Sequence, residues 1–256
     1  MKPSTSMRPL LSIALIVSAV AFIPFVPLVY CQEKTANVDP SVQFLATHDL
    51  TKYAADASKW EQDVAKLASA NATEGDNEAI LCLGSSSFRL WDTISVDMAP
   101  YKIVRRAYGG AKYCDLAIHT PKLVDGLRFR AAMIFIANDI TGSEKDKSPE
   151  EIGRLAKIVL ETVRKQQPNV PIFLIAVTPT PSRFQHWPKI AMANKSLEEL
   201  ASNEANTFYV ATQDKYLTSQ GEPRPELFVK DMLHQNQDGY AIWSTIFKDS
   251  LGKNLK

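Results

Sequence analysis

A serine, an aspartate and a histidine of this sequence could together carry out nucleophilic chemistry on a carbonyl group. Ser86 follows a short apolar run that ends at Gly84, whereas Asp231 and His234 lie three residues apart near the end of the chain. A serine hydroxyl is nearly unionised at neutral pH and needs a neighbouring base such as histidine, which an aspartate can hold in the required tautomer. A serine after a strand also commonly caps the next helix, so residue type alone leaves both roles open for Ser86.

Short apolar runs that alternate with helical patterns predict a parallel sheet with helices on both faces. Runs with strand character occur at residues 79–83, 103–104, 131–136, 172–177 and 207–210. In such sheets the ligand site lies beyond the carboxyl ends of the strands. The loops there would bring together a serine, a glycine turn, an asparagine and an Asp-His pair, namely Ser86, Gly110, Asn138, Asp231 and His234. These groups are the nucleophile, amide donors, base and orienting carboxylate of an acyl-transfer site.

The helical patterns are marked by apolar spacing and, in one case, by a full start signal. Apolar residues at helical spacing occur over residues 49–70, 190–201 and 239–251. Ser148 is a favourable N-cap, Pro149 suits the first helical position and Glu151 completes a capping box, so a helix is expected to begin at residue 149. The pattern as a whole predicts a three-layer α/β/α sandwich with a parallel five-stranded sheet of the flavodoxin-like type.

The chain resembles the SGNH hydrolase superfamily, and most closely its GDSL-type esterases, in motifs that keep the family's order. The motifs are the Gly-Ser-Ser-Ser turn at residues 84–87, the turn Gly109-Gly110, the pair Asn138-Asp139, the segment at residues 224–228, and Asp231-x-x-His234 with Gly239-Tyr240 after it. They extend over roughly residues 55–250. Each motif alone is weak, but their order and spacing together are specific. The resemblance implies a serine hydrolase that acts on ester bonds and uses no metal or organic cofactor.

The resemblance also implies roles for individual residues. Ser86 is expected to be the nucleophile, His234 the general base and Asp231 the residue that orients the imidazole. The oxyanion hole is expected to use the backbone N–H groups of Ser86 and Gly110 together with the side-chain amide of Asn138.

The loop after the fourth predicted strand falls on the same face as these residues. It contains Arg183, Phe184, His186 and Trp187, which could bind substrate by stacking on a sugar ring or by lining an acyl pocket. A loop that only covers the core would have the same composition, and the sequence favours neither interpretation.

Small or carbohydrate-linked acyl esters, such as acetylated sugars, are the substrates that the resemblance suggests. A lysophospholipase or thioesterase of the same fold is the first alternative, and it predicts a deeper apolar groove beside Ser86. The second alternative is a non-catalytic exported carbohydrate-binding protein. Two departures from the family pattern favour it, one at residues 105–107 and one at Ile136-Ala137, where a glycine usually precedes the asparagine. Retention of Ser86, Asp231 and His234 argues against it, since a binding protein does not need all three.

Composition excludes several other classes of protein. The 256 residues suffice for one sizeable domain. The formal net charge is +1 and no basic stripe stands out, which argues against a nucleic-acid partner. Three cysteines are too few for a disulfide scaffold, and none has metal-ligand spacing. The expected partner is therefore a small-molecule ester, with an acylated carbohydrate as one form.

The N-terminus predicts export. Lys2 and Arg8 precede an apolar stretch over residues 9–30, which is typical of a secretory signal or an N-terminal membrane anchor. Residues 1–31 are assigned to this segment, residues 32–48 to a linker and residues 49–256 to the hydrolase domain. Export to an extracellular or periplasmic space with cleavage is favoured, and membrane attachment is expected only if the segment is retained.

Overall fold

Five parallel strands form the centre of the fold in a computed structural model, which describes residues 39–255 of the chain. The strands are β1 (Ala79–Gly84), β2 (Lys102–Ala107), β3 (Ala131–Phe135), β4 (Ile172–Ile175) and β5 (Thr207–Val210). Their order across the sheet is β2-β1-β3-β4-β5, and every neighbouring pair is parallel. This is the strand order of flavodoxin-like doubly wound sheets, so the predicted fold class is confirmed.

Helices connect the strands and cover both faces of the sheet. They are α1 (Pro40–Thr47), α2 (Ala54–Ala57), α3 (Glu61–Ala68), α4 (Asn71–Glu74), α5 (Ser86–Arg89), α6 (Ile94–Asp97), α7 (Tyr113–Val124), α8 (Pro149–Gln166), α9 (Trp187–Asn203) and α10 (Gln237–Asn254). Short 3₁₀ segments occur at Thr51–Tyr53, Ser58–Trp60, Pro181–His186, Gln213–Tyr216 and Pro225–Leu227. The helices α3, α7, α8 and α9 pack on one face, and α5, α6 and α10 pack on the other.

The core consists of one hydrophobic cluster on each face of the sheet. Successive side chains of a strand point to opposite faces, so in β1 Leu81 and Leu83 join the cluster under α7 to α9, whereas Ile80 and Cys82 join the cluster that contains Trp243. All six residues of β1 are buried. Burial on both faces explains why the strands appear in the sequence as short continuous apolar runs.

The N-terminal part of the domain differs from the expectation in two ways. The helical pattern over residues 49–70 does not form one helix: a 3₁₀ turn precedes α2 and a second one separates α2 from α3. Helix α1 lies within the predicted linker, residues 32–48, and the side chain of Asp39 caps it by accepting the N–H of Ser41 at 2.8 Å. Phe44 and Leu45 of α1 pack against the core, so the domain extends N-terminally beyond residue 49.

One strand boundary and one helix cap differ slightly from the expectation. The strand predicted at residues 172–177 ends at Ile175. Helix α8 begins at Pro149 with Ser148 accepting the N–H of Glu151, as its sequence predicts, but the carboxylate of Glu151 binds Arg154 and does not complete the capping box.

The predicted signal or anchor, residues 1–31, lies outside the described residues. Among residues 39–255, no helix combines the length and the apolar character that a membrane crossing requires.

Candidate active site

The turn between β1 and α5 presents Ser86 at the carboxyl edge of the sheet. Gly84 ends β1 with φ of +156°, and a Cβ there would lie 2.1 Å from the backbone oxygen of Phe135 on β3. Only glycine permits this close approach of the two strands. The N–H of Ser85 then donates to the same oxygen at 3.1 Å, and α5 begins at Ser86.

Ser86, His234 and Asp231 form one continuous chain of hydrogen bonds. The hydroxyl of Ser86 and Nε2 of His234 are 2.9 Å apart, and Nδ1 of His234 is 2.6 Å from Oδ2 of Asp231. The other carboxylate oxygen, Oδ1, accepts the backbone N–H groups of Leu233 and His234, each at 2.9 Å. A tight turn with Met232 at φ of +57° makes this double contact possible. The structure therefore brings together the three residues that the sequence singled out.

The contacts of His234 define its tautomer. A carboxylate only accepts hydrogen bonds, so Nδ1 carries the proton that faces Asp231 and the lone pair of Nε2 faces the hydroxyl of Ser86. Partial burial favours the protonated form of Asp231, but hydrogen bonds from the backbone and ring of His234 and from the backbone of Leu233 outweigh it and lower the pKa of Asp231 below its ordinary value. The imidazole is oriented as a general base requires.

Asn138 follows β3 and is held by hydrogen bonds on both ends of its amide. Its Nδ2 donates to the backbone oxygen of Ala111 at 3.0 Å, and its Oδ1 accepts from Nη2 of Arg183 at 3.0 Å. Nη1 of Arg183 donates to the backbone oxygen of Ala137 at 2.7 Å. One N–H of the amide has no partner among these contacts and is available to a ligand.

A small cavity adjoins Ser86 and is lined both by residues that the sequence predicted for the site and by others. Its volume is about 20 Å³. It is lined by Ser85, Ser86, Ser87, Phe135, Ala137, Asn138, Val177, Thr178, Thr180, Arg183, Ile190, Phe228, Leu233, His234 and Gln235. One water needs about 10–15 Å³ by the same measure, so the cavity accommodates one or two water-sized groups, such as the methyl group of an acetyl ester.

A second cavity, of about 10 Å³, lies behind one wall of the first. The two share Ala137, Val177 and Ile190, and the other residues around the second are mostly apolar, including Ile136 and Ile152. Ile190 is 3% exposed and contributes a bulky side chain to both. The shared wall therefore limits the depth of the cavity beside Ser86.

The comparison of the sequence with known families agrees with this geometry. The profile of the GDSL-like Lipase/Acylhydrolase family matches residues 72–242, a segment that contains Ser86, Asn138, Asp231 and His234. The chain belongs to this family. The match confirms the resemblance to SGNH and GDSL hydrolases. No curated protein matches the GDSL hydrolase significantly.

Solved structures share the fold of this GDSL hydrolase. A proposed platelet activating factor from Streptococcus pneumonia is 22% identical with a TM-score of 0.65, and the alignment covers 81% of this chain and 98% of that one. A GDSL-like lipase from Bacteroides thetaiotaomicron is 16% identical with a TM-score of 0.60, covering 81% and 99%. A carbohydrate esterase family 3 protein from Talaromyces cellulolyticus is 14% identical with a TM-score of 0.53, covering 68% and 96%.

The structure places some predicted residues of the GDSL hydrolase away from the cavity. Phe184 and Trp187 stack on each other with ring centroids 6.5 Å apart and do not line it. The ring of His186 lies against Gly142, where a Cβ would come 2.2 Å from Nε2. Of the four residues named in this loop, only Arg183 reaches the cavity, and its two Nη atoms donate to protein oxygens.

Gly110 has the backbone conformation expected of a glycine turn but is not among the residues around the cavity. Its φ is +75°, and a Cβ would lie 3.3 Å from the indole of Trp60. Both features favour glycine at this position.

Polar residues for which the sequence predicted no role in the site also surround the cavity. Within the described part of the chain, Ser85 Oγ, Thr178 Oγ1, Thr180 Oγ1 and Gln235 Oε1 are buried without a hydrogen-bond partner. Thr178 and Thr180 follow β4 directly, so the rule that ligand sites lie beyond the carboxyl ends of strands could have found them. Buried polar groups of this kind are normally satisfied by water or ligand.

The described residues of the GDSL hydrolase contain no cluster of three or more histidine, cysteine or acidic side chains that could hold a metal ion. Cys82 and Cys114 are free and buried.

Proposed function

We propose that this GDSL hydrolase is a serine esterase that cleaves short-chain acyl esters by a two-step mechanism. The hydrogen-bonded chain from the Ser86 hydroxyl through His234 to Asp231, at 2.9 Å and 2.6 Å, carries the proposal. The hydroxyl proton can move to Nε2 of His234 while the serine oxygen forms a bond to carbon, and Asp231 remains a carboxylate. A non-catalytic binding protein would not require the imidazole to be held in the basic tautomer.

In the first step, the oxygen of Ser86 attacks the ester carbonyl and Nε2 of His234 takes the hydroxyl proton. His234 then gives this proton to the leaving alcohol as the tetrahedral intermediate collapses. Asp231 stabilises the imidazolium that exists between the two events. In the second step His234 deprotonates a water that attacks the acyl-enzyme, and it then returns this proton to the oxygen of Ser86 as the carboxylic acid is released.

Amide donors stabilise the negative charge that develops on the carbonyl oxygen in both steps. The free N–H of Asn138 and the backbone N–H of Ser86, both at the cavity, are proposed to donate to this oxygen. The backbone N–H of Gly110, which the sequence also predicts as a donor, belongs to a residue outside the cavity lining. Loss of one such donor typically costs about 3–4 kcal/mol of transition-state stabilisation.

The size of the cavity supports a small acyl group. A volume of about 20 Å³ suits the methyl group of an acetate ester better than a long alkyl chain. A lysophospholipase would need a deep apolar groove beside Ser86, and the wall at Ile190 limits that depth. The fold shared with a carbohydrate esterase is in keeping with an acetylated carbohydrate as substrate.

Hydrolysis of p-nitrophenyl acetate by the wild type and by Ser86→Ala tests the proposal. Removal of the nucleophile in a serine–histidine–aspartate site lowers kcat by about 10⁶-fold, so the variant is expected to have no measurable enzymatic rate. Ser95→Ala, an exposed serine on α6 outside the cavity, is the matched control and is expected to retain full activity. Equal rates for wild type and Ser86→Ala would refute the mechanism.

We also propose that the protein is exported, on the basis of the charged and apolar pattern of residues 1–31. N-terminal sequencing of the mature protein and fractionation of the producing cells test this. A mature chain found in the cytosol with residues 1–31 intact would contradict it.

A further inference from the structure

We propose that Arg183 is a positioning residue that holds Asn138 in the orientation of an oxyanion donor. This inference rests on the proposed esterase function and assigns a different role to a residue that the sequence offered as a substrate contact. The guanidinium acts on the reaction through the amide of Asn138 and does not itself touch the ester.

Two contacts place the guanidinium across the backbone turn after β3. Nη1 donates to the oxygen of Ala137 at 2.7 Å and Nη2 donates to Oδ1 of Asn138 at 3.0 Å. Arg183 lies in the 3₁₀ segment that follows β4, so one side chain joins the loops after two neighbouring strands. A planar guanidinium suits such a double contact, because its donors have a fixed fork geometry.

The chemistry of the two partners determines which way the amide of Asn138 faces. A guanidinium only donates and a backbone carbonyl only accepts. The atom of Asn138 that faces Arg183 must therefore be the oxygen, and the atom that faces the oxygen of Ala111 at 3.0 Å must be the nitrogen. With both groups in place, the second N–H of the amide has one defined direction. Without Arg183, only the contact to Ala111 would oppose rotation of the amide.

The charge of Arg183 strengthens the same donor. A cation that binds the amide oxygen polarises the amide and makes its N–H a better donor, since hydrogen bonds in a chain reinforce one another. Burial lowers the pKa of Arg183 and the charge of Asp146 opposes this effect, but an arginine side chain stays protonated in proteins. The positive charge is therefore present throughout the reaction.

The sequence around Asn138 explains why such a clamp is useful here. Ile136-Ala137 precede Asn138, whereas the family pattern usually has a glycine separated from the asparagine by one residue; Ala137 and Asn138 are half-buried. The contact from Nη1 satisfies the oxygen of Ala137, a carbonyl at the rim of the cavity, while Nη2 fixes the next side chain. One residue thus holds both the backbone and the side chain of this turn.

A double-mutant cycle on p-nitrophenyl acetate hydrolysis tests the proposal. Asn138→Ala is expected to lower kcat by about 10²- to 10³-fold, and Arg183→Ala by less than this, with KM little changed in either. In the Asn138→Ala background, Arg183→Ala is expected to lower kcat by less than about threefold, because the residue through which it acts is gone. Arg130→Ala, which removes a cation paired with Glu78 before β3, is the matched control and leaves kcat unchanged.

Conservative variants keep the test valid if Arg183→Ala folds poorly. Lysine offers a point charge without a fork, so Arg183→Lys is expected to regain part of kcat and Arg183→Gln less. Thermal unfolding identifies any variant that is not folded.

Three results would contradict the role of Arg183 or the esterase mechanism on which it rests. A rise in KM that persists at the same size in the Asn138→Ala background would mean that Arg183 contacts the substrate, and would overturn the inference. Additive losses of kcat in the cycle would also overturn it. Undiminished activity of Ser86→Ala would instead refute the esterase mechanism itself, and the role of Arg183 with it.

Discussion

Asp231→Asn is expected to reduce esterase activity more than Asp231→Ala, although asparagine is the closer mimic of aspartate in shape. Oδ1 of Asp231 accepts two backbone N–H groups, from Leu233 and His234, and Oδ2 accepts the Nδ1 proton of His234. In the variant the two backbone donors select the amide oxygen, which leaves the NH₂ group facing the imidazole. Because an NH₂ group only donates, the ring keeps its proton on Nε2, the atom that must accept the proton of Ser86.

The expected loss of transition-state stabilisation has two parts. Both variants share the first, and only Asp231→Asn has the second. Both lose a hydrogen bond to a charged group, worth about 1.5–3 kcal/mol. The side chain of Asp231 is 48% exposed, so water can replace the carboxylate in the alanine variant and no further loss follows. The asparagine variant must oppose two donors or turn its amide away from the backbone N–H groups, which adds about 1–3 kcal/mol. Since about 1.4 kcal/mol is a factor of ten, alanine is expected to lower kcat about 10- to 150-fold and asparagine about 5- to 150-fold further.

The assay is kcat for p-nitrophenyl acetate at pH 7 for both variants, with thermal unfolding to compare their folded fractions. Asp214→Asn, an exposed aspartate in a 3₁₀ segment outside the cavity, is the matched control for the loss of one negative charge. If Asp231→Asn is as active as Asp231→Ala or more so, the tautomer argument is wrong and Asp231 acts only through its charge.

Three further predictions concern the wall of the cavity and two buried polar groups. Ile190→Ala is expected to join the two cavities and to raise the ratio of kcat/KM for p-nitrophenyl butyrate to that for p-nitrophenyl acetate at least about tenfold. The free energy of unfolding, measured with urea, is expected to fall by about 2–5 kcal/mol. Asn194 binds both the N–H and the oxygen of Val177, at 2.7 Å and 3.0 Å, so Asn194→Ala is expected to destabilise the fold by about 2–5 kcal/mol in the same assay. Burial raises the pKa of Asp139 from 3.8 to about 7. Between these two pH values the folded protein holds a proton that the unfolded chain has released, so the stabilisation that this proton gives the folded state is lost as the pH rises from about 4 to about 7. The free energy of unfolding of the wild type, relative to Asp139→Asn, is therefore expected to fall from about pH 4 to about pH 7 and to stay constant above it.

The architecture could be predicted because the three central strands, β1, β3 and β4, are buried on both faces. Continuous apolar runs between helical patterns indicate a parallel sheet, and the start of α8 at Pro149 follows from the chemistry of its first turn. The order of the strands is not contained in any local pattern, since it depends on which face each crossover helix covers. Helix α1 was missed, although Asp39-Pro40 is a recognisable start signal, because its surroundings are polar.

The residues of the site could be predicted in part. Ser86, Asp231 and His234 occupy motifs with fixed spacing, and the structure brings them into hydrogen-bonding distance. The direction in which a loop side chain points cannot be predicted from such a spacing. Arg183 in the 3₁₀ segment turns inward and Trp187 at the start of α9 packs beside the core, although they are only four residues apart. Packing against neighbouring loops decides between these directions, and that information is tertiary.

In the proposed mechanism, the alcohol part and the acyl part of the ester differ in their exposure to solvent, and this difference favours one class of substrate. His234 must give its proton to the leaving alcohol, so the alcohol departs beside the imidazole, where the side chains of His234 and Asp231 are 23% and 48% exposed. In the proposed mechanism the acyl group enters the cavity of about 20 Å³, whose wall includes Asn138 and Ile190. We therefore propose a substrate with a large, water-soluble alcohol part and a small acyl group. An acetylated carbohydrate has both properties, whereas a lysophospholipid would place its long chain on the closed side.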